Sequence, residues 1–572
     1  MAVGEGGGIT VHERRLLSTG AVWAIPAVVT LLAGLWRIGN PELWRDEVAS
    51  WVAAERSPSQ LYDMLQNVDA SSGFYYFVLH YWIDLFGDSP TALRSLSALA
   101  MAGAAAFTAL AARKLFRSDT AGLAAGLLFA VTPIVSRYAQ EIRAYALVTC
   151  AAAAATWLLL RALERPTLAR WTAFGAVTAI AGAAHLVSLA GLAGQAALVA
   201  LAIWRPDALG PTRAEAAREA EAPQEAPAAQ EAHPAQEQGQ GQEQEQRDIA
   251  APAERPARQV RWKLAWQFPL TAALAVAVLI PLMRLGQSQT GRQLGWLPHP
   301  DAGSLRHVAE DLFTSPRLVH LVAVLVLLAV LLPGRRLAAL GTVLLAALPV
   351  LAVYQMSLGE TSYFLNRYLL FVVPACVTAA GGGVGAVHRL LVRAFRGLAP
   401  GAAARTRLLM SAGLALVLLA GLSARCWYLV SDGQHVQRTA ASHNVTDFEG
   451  AADLILAGHQ PGDAMVAVSA DYWWAMVGPS LNYYLRDAKS APAQVFVYRT
   501  AIERDDLFPL ETPTPQTAFG NHQRLWLINV DSGPDIYQGF TPQQTSAFKS
   551  TFTIARTERV TGLTVSLLVR SH

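Results

Sequence analysis

Phe74-Tyr75-Tyr76-Phe77-Val78-Leu79-His80-Tyr81-Trp82-Ile83-Asp84-Leu85-Phe86 is the stretch on which the topology of this chain turns. It is apolar, but crossing ~30 Å of hydrocarbon takes about 20 apolar residues, and this run is too short. It is also rich in aromatics and carries His80 and Asp84. Those features predict a helix lying in the membrane interface, with His80 on its amphipathic face. Just before it, Asp69 precedes Ser71-Ser72-Gly73 at a position suited to a helix cap.

Outward from this stretch, apolar segments of spanning length stand near 16–36, 92–112, 120–137, 143–163, 170–184, 186–204, 262–283, 317–333, 336–356, 367–391 and 406–429. If 74–86 does not cross, the basic linkers (Arg113, Lys114, Arg117; Arg161, Arg165, Arg170; Arg335, Arg336; Arg389 to Arg407) share one side with Arg14 and Arg15. The positive-inside rule favours that solution. The expectation is therefore a multi-pass α-helical protein of the plasma membrane with about eleven spans plus juxtamembrane helices. Its N-terminus is cytoplasmic and its C-terminal domain extracytoplasmic.

Composition agrees: 53% of the 572 residues are hydrophobic and only 15% charged, a membrane-protein balance. The formal net charge of +3 is too small for a nucleic-acid binder. The basic Met1–Arg15 stretch and first apolar run read as a retained span, because no small-residue cleavage site follows. Cys150, Cys376 and Cys426 lie in or beside apolar segments, so neither a disulfide framework nor a zinc spacing is available.

The chain divides into four regions. Residues 1–205 form a first transmembrane half with an outer loop at 37–91. Residues 206–260, rich in Ala, Glu, Gln and Pro, read as a disordered cytoplasmic linker. Residues 261–430 form a second transmembrane half with an outer loop at 284–316, and 431–572 a soluble α/β domain. That domain is expected to hold a helix at 447–458, strands at 464–468 and 524–530, a helix at 541–549, and strands near 551–557 and 563–569. It contains no evident catalytic constellation and reads as a stabilising or acceptor-docking domain.

In this topology three polar sets meet on the outer face. They are Asp46-Glu47 in Leu43-Trp44-Arg45-Asp46-Glu47-Val48-Ala49-Ser50-Trp51, the turn Arg137-Tyr138-Ala139-Gln140-Glu141-Ile142-Arg143-Ala144-Tyr145, and Asn366-Arg367-Tyr368. Charge beside the hydrocarbon boundary is costly, so a cluster there marks a functional region. A carboxylate in hydrogen-bond reach of a hydroxyl takes its proton as it attacks. Arginines suit phosphate, which the planar guanidinium grips in a bidentate way. Blander readings stand beside these: solvated loop carboxylates, an ion pair bracing a hairpin at Glu141 and Arg143, a snorkelling Arg367, and a packing role for His185.

These residues resemble a known family. Leu43–Trp51 looks like the first-loop acidic motif of polyprenyl-phosphate-sugar-dependent glycosyltransferases of the GT-C superfamily. The nearest likeness is to the family 39 branch of protein O-mannosyltransferases and aminoarabinose transferases. Gly73-Phe74-Tyr75-Tyr76, Phe86-Gly87-Asp88-Ser89, Ala92–Leu99, Tyr138–Tyr145 and Arg367-Tyr368-Leu369 are similar in the same order. The chain departs from it at Ala70-Ser71-Ser72-Gly73, where many relatives have His-Pro-Pro.

The resemblance implies a GT-C fold and an inverting transfer of a hexosyl or pentosyl group, mannosyltransferase-like, to a hydroxyl on a glycan, lipid or protein of the envelope. The donor is a polyprenyl-phosphate sugar. It implies Asp46 as base with Glu47 beside it, and Glu141 as the second acidic position. Arg143, Arg367 and Arg137 are candidates for the donor phosphate, and Tyr75, Tyr145, His185 and Tyr368 for substrate contact. No cofactor is certain; a divalent cation on Asp46, Glu141 or His185 is left open. The alternatives are a transporter or flippase of lipid-linked sugars and a non-catalytic envelope scaffold. The absence of internal repeats and the gathering of charge at one face argue against transport.

Overall fold

The computed structural model describes residues 19–209, 254–398, 402–436, 438–439, 446–469, 472–531 and 533–571. A helix or helical pair stands at every expected span position. In the first half these are α1 (Thr19–Leu35), α5 (Pro90–Phe116), α6 (Asp119–Val131) with α7 (Pro133–Ala139), α8 (Tyr145–Glu164), α9 (Leu168–Ala184) and α10 (Gly191–Trp204). In the second half they are Glu254–Leu294, Pro316–Leu331, Arg336–Met356, Val373–Leu398 and Ala404–Val436.

Among the described residues, seven helices are long and apolar enough to cross a membrane, or up to nine if each bent pair is one span. Gly20–Leu35 is apolar but shorter, and α9 has only 17 residues. The chain is a multi-span membrane protein, while the count of eleven is not reached by length and composition.

Small residues let the bundle close. Gly381, Gly383 and Gly385 sit on the helix Val373–Leu398, where an added Cβ would run into Ala121 O, Leu325 O and the Ala121 side chain. Close backbone approach of this kind is how helices associate where lipid removes the hydrophobic drive.

The basic linkers meet at one end. Arg335 Nη1 donates to Leu115 O (3.5 Å) and Ala208 O (3.3 Å), and Arg389 Nη1 to Phe116 O (3.4 Å). Of the expected linker 206–260, residues 210–253 lie outside the described residues, as does the basic Met1–Arg15. Its described ends, Pro206–Leu209 and the chain from Glu254, are helical.

At the other end lie α2 (Arg45–Ala54), α3 (Pro58–Asn67) and α4 (Gly73–Phe86). With 14 residues α4 is about 21 Å long and too short to span. Pro58 and the Ser57 cap open α3, and Gly73 lets α4 start against Leu65, where a Cβ would stand 2.7 Å from Leu65 Cδ1. His80 turns inward, its Nδ1 bonded to Ala54 O at 2.8 Å.

The segment 284–316 differs from the loop expected there. The helix Glu254–Leu294 continues into it, and Ala302–Phe313 is also helical. The extension has partners that sustain it: Gln289 accepts the Ala70 amide (2.9 Å) and donates to Leu65 O (3.0 Å).

The C-terminal region is α/β. Its strands are β1 (Ala464–Ala467), β2 (Ala493–Gln494), β3 (Val497–Arg499), β4 (Leu510–Glu511), β5 (Arg524–Val530), β6 (Phe552–Val560) and β7 (Leu563–Arg570). Five form a sheet in the order β2-β1-β5-β7-β6, parallel at β2-β1-β5 and antiparallel from β5 outward. The helices Phe448–Gly458 and Pro542–Thr551 match the expected ones; Val477–Leu485 and the β3-β4 pair are additional.

This domain is docked on the first loop. Asp88 accepts Arg486 Nε at 2.7 Å and, through its carbonyl, Tyr483 OH at 2.9 Å. Tyr484 OH accepts the Leu43 amide at 2.9 Å, and Glu42 Oε2 the Phe448 amide at 3.1 Å. Arg56 donates to Asp506 O at 2.6 Å.

Candidate active site

Between the helix ends and the docked domain lies a cavity of about 480 Å³, lined from the bundle by Asp46, Asp69, Tyr75, Arg143, Tyr145, His185, Arg367 and Tyr368. Arg45 and Trp296 also line it, and Trp473, Trp474, Met476, Leu507 and Phe508 close it from the C-terminal domain. Of the ten expected site residues, seven therefore come together: Asp46, Tyr75, Arg143, Tyr145, His185, Arg367 and Tyr368. Glu47, Glu141 and Arg137 are not on its wall.

The separation of Asp46 from Glu47 begins with the start of α2 at Arg45. An α-helix turns about 100° per residue, so adjacent side chains leave in different directions. Asp46 faces the cavity with its side chain 20% exposed. Its Oδ1 is 3.6 Å from Arg45 Nε and its Oδ2 3.6 Å from Arg367 Nη2.

Glu47 is fully buried. It meets Arg94 in a two-pronged pair, Nε to Oε1 at 2.8 Å and Nη2 to Oε2 at 2.7 Å. Oε1 also accepts the Ile142 amide (3.0 Å), and Oε2 reaches back to the Trp44 amide (3.3 Å). Arg94 spends its other donors on Ile38 O, Pro41 O and Glu42 O. This pair joins α2, α5 and the 140–144 turn, and its guanidinium serves the loop 38–42. It is a structural junction.

The turn after α7 is held by its own polar groups. Gln140 Nε2 donates to Gly34 O and Trp36 O, both at 2.8 Å, and Ser97 Oγ to Glu141 O at 2.6 Å. That fixes Arg143 toward the cavity, where Nη1 reaches Tyr76 OH (3.3 Å) and Ser50 Oγ (3.5 Å). Tyr76 OH in turn donates to Asp69. Asp69 adopts a left-handed backbone (φ 59°); its carbonyl accepts the Ser72 amide at 2.9 Å, while its side chain caps no amide and accepts instead from Ser72 Oγ.

Glu141 points into the protein. It is 1% exposed, 3.5 Å from Arg137 Nε, and neither carboxylate oxygen has a hydrogen-bond partner among the described residues. Burial pushes its carboxyl up to about 7, against the pull of the Arg137 guanidinium. His185, at the break after α9, packs on Tyr368 (4.6 Å between centroids) and Tyr145 (6.0 Å). Burial, with Arg143 and Arg367 nearby, pulls the imidazole down to about 3, so it is neutral at ordinary pH.

No three His, Cys, Asp or Glu side chains among the described residues are grouped to hold a metal ion. Asp46 is engaged by two guanidiniums and Glu141 is off the cavity wall, so the donor set left open for a cation does not assemble.

Sequence reading missed Arg94, whose role depends on where α2 begins, and the wall from the C-terminal domain. The wall left one signal, the adjacent pair Trp473-Trp474 outside any apolar strand.

The fold has counterparts among known proteins. The profile of the family described as dolichyl-phosphate-mannose-protein mannosyltransferase matches residues 73–209. No curated protein sequence matches the chain. The structure of ArnT from Cupriavidus metallidurans bound to undecaprenyl phosphate is 14% identical, with a TM-score of 0.53, over 96% of this chain and 98% of that one. ArnT in the apo state is 16% identical, with a TM-score of 0.50 over the same shares. The chain shares the fold of ArnT, with the helical bundle and the C-terminal α/β region both included.

Proposed function

We propose that this protein is an inverting glycosyltransferase that moves a sugar from a polyprenyl-phosphate donor to a hydroxyl of a cell-envelope acceptor. The observation that carries the reading is Asp46 on the wall of a 480 Å³ cavity shared with Arg143 and Arg367. The family match, and the undecaprenyl phosphate bound in a structure of the same fold, support a lipid-linked donor.

Asp46, as the carboxylate, takes the proton of the acceptor hydroxyl while its oxygen attacks the anomeric carbon. The new C–O bond forms on the face opposite the phosphate. The old bond breaks, and its electron pair leaves with the polyprenyl phosphate. Arg143 and Arg367 hold that phosphate and meet the growing negative charge with donors already in place. Tyr145, Tyr368 and neutral His185 form the adjoining wall. Glu47 acts through Arg94 and the Ile142 amide as a positioning residue, keeping Asp46 and the 140–144 turn in register. Glu141 with Arg137 supports that same turn from beneath.

The basic linkers lie at the opposite end, which supports a reading with the cavity on the outer face by the positive-inside rule. The test uses purified full-length protein in nanodiscs with radiolabelled polyprenyl-phosphate sugars and an envelope extract. Wild type is expected to transfer label, and Asp46→Asn to lose the activity while keeping its melting temperature. Equal transfer by both would remove Asp46 as the base.

A further inference from the structure

The proposed transfer leaves the acceptor unnamed. The wall supplied by the C-terminal domain bears on its chemistry, and this inference rests on the transferase reading. Asp46 stands between two guanidiniums, one against each carboxylate oxygen. Arg367 belongs to the bundle, where its guanidinium lies near the rings of Trp44, Trp296 and Tyr368. Arg45 leads the other way, its guanidinium 5.5 Å from the ring centroid of Trp474.

An inverting displacement puts attacking oxygen and leaving phosphate on opposite sides of the anomeric carbon. The donor is anchored in lipid, so its phosphate belongs to the bundle arginines. The acceptor then enters on the side of Arg45 and Trp474.

The chemistry of that side is specific. Trp473 and Trp474 keep about half their surface open, 49% and 46%. Trp473 is braced edge-on by Phe508, 5.3 Å between centroids at 89°. Among the described residues, the C-terminal side chains on the cavity, Trp473, Trp474, Met476, Leu507 and Phe508, carry no charge. Flat apolar ring faces beside a guanidinium and a carboxylate fit a pyranose or furanose ring. Its C–H face lies on the indole and its hydroxyls meet the polar edge.

A peptide acceptor would look for an unpaired strand edge. The backbone here is instead a turn of 3-10 helix, its Ala475 and Met476 amides already bonded to Tyr472 O and Trp473 O. We propose that Trp473 and Trp474 are the acceptor subsite, and that the acceptor is a saccharide presented to Asp46 with one ring stacked on this pair.

The experiment gives full-length wild type in nanodiscs a panel of radiolabelled polyprenyl-phosphate sugars. Three envelope fractions are offered separately: protein-free polysaccharide, deglycosylated protein and extracted lipid. Label is expected in the polysaccharide. Trp473→Ala with Trp474→Ala should raise the acceptor KM about tenfold, the scale of one lost aromatic contact, while the donor KM stays put. Trp473→Phe with Trp474→Phe keeps a ring face and should restore most of the loss, and thermal melts check that each variant is folded.

Label in protein or lipid, an unchanged acceptor KM, or a rise in the donor KM instead would overturn the subsite. Transfer that depends on Asp46 but not on the tryptophans would leave the transferase reading standing and remove only this inference. No transfer by wild type to any fraction would remove both.

Discussion

Asp46 and Glu47 are covalent neighbours with opposite surroundings. Glu47 sits in a dry junction where Arg94 meets it at 2.7 and 2.8 Å and backbone amides take its remaining capacity. Asp46 sits on a cavity wall where its cations stay at 3.6 Å. A close, saturated pair has no lone pair left for a substrate. A looser pair on open volume can accept a proton without first breaking a network. Two carboxylates in one motif thus divide into a group that braces the junction and one that faces the cavity.

The largest effect is expected at Asp46. Asp46→Asn should cut kcat by roughly 10²- to 10⁴-fold, the usual contribution of a positioned base, with no shift in melting temperature. If Glu47→Gln did the same while Asp46→Asn stayed active, the roles would be reversed. Next comes the junction. Glu47→Ala or Arg94→Ala leaves a buried charge without its partner, which costs about 3–5 kcal/mol. Arg94→Ala should be the worse of the two because it also orphans the Ile38, Pro41 and Glu42 carbonyls. Denaturant or thermal unfolding in detergent measures this, and a loss under about 1 kcal/mol, well short of a broken buried pair, would mean that the junction holds little.

Smaller effects sharpen the cavity side. Arg143→Ala and Arg367→Ala each remove charge-assisted bonds of about 1.5–3 kcal/mol, which predicts a donor KM raised roughly 10- to 100-fold. An effect on the acceptor KM alone would move the phosphate elsewhere.

The smallest effect is a pH slope from Glu141. Its carboxyl is raised in the folded chain from 4.5 to about 7, so the folded state binds the extra proton. Stability from this group is full below 4.5 and declines as pH rises through about 7. Glu141→Gln should flatten the melting temperature across that window. A slope that persists in the variant would assign it to another group.

Much of this architecture was legible in the sequence because hydrocarbon imposes a length on apolar runs, and the helices fall where those runs lie. That α4 is too short to cross was legible for the same reason. The convergence of Asp46, Arg143, His185 and Arg367 followed from topology, which sends their connections to one end. The fate of Glu47 did not, because it hangs on the residue at which α2 begins; a start one residue later would rotate both carboxylates. Arg94 looked like one member of a motif because its partners lie 47 to 56 positions away. The left-handed backbone at Asp69 leaves no trace in composition. Trp473 and Trp474 could equally have been core residues of an α/β domain, and only its docking through Asp88, Leu43 and Glu42 turns them to the cavity.

That docking also bears on timing. The groups proposed for chemistry are encoded between Asp46 and Tyr368, whereas the wall that closes the cavity is encoded from Trp473 to Phe508. A ribosome inserting this chain delivers base and arginines first and the wall last. The order of synthesis therefore leaves the cavity without its second wall until the last part of the chain is made.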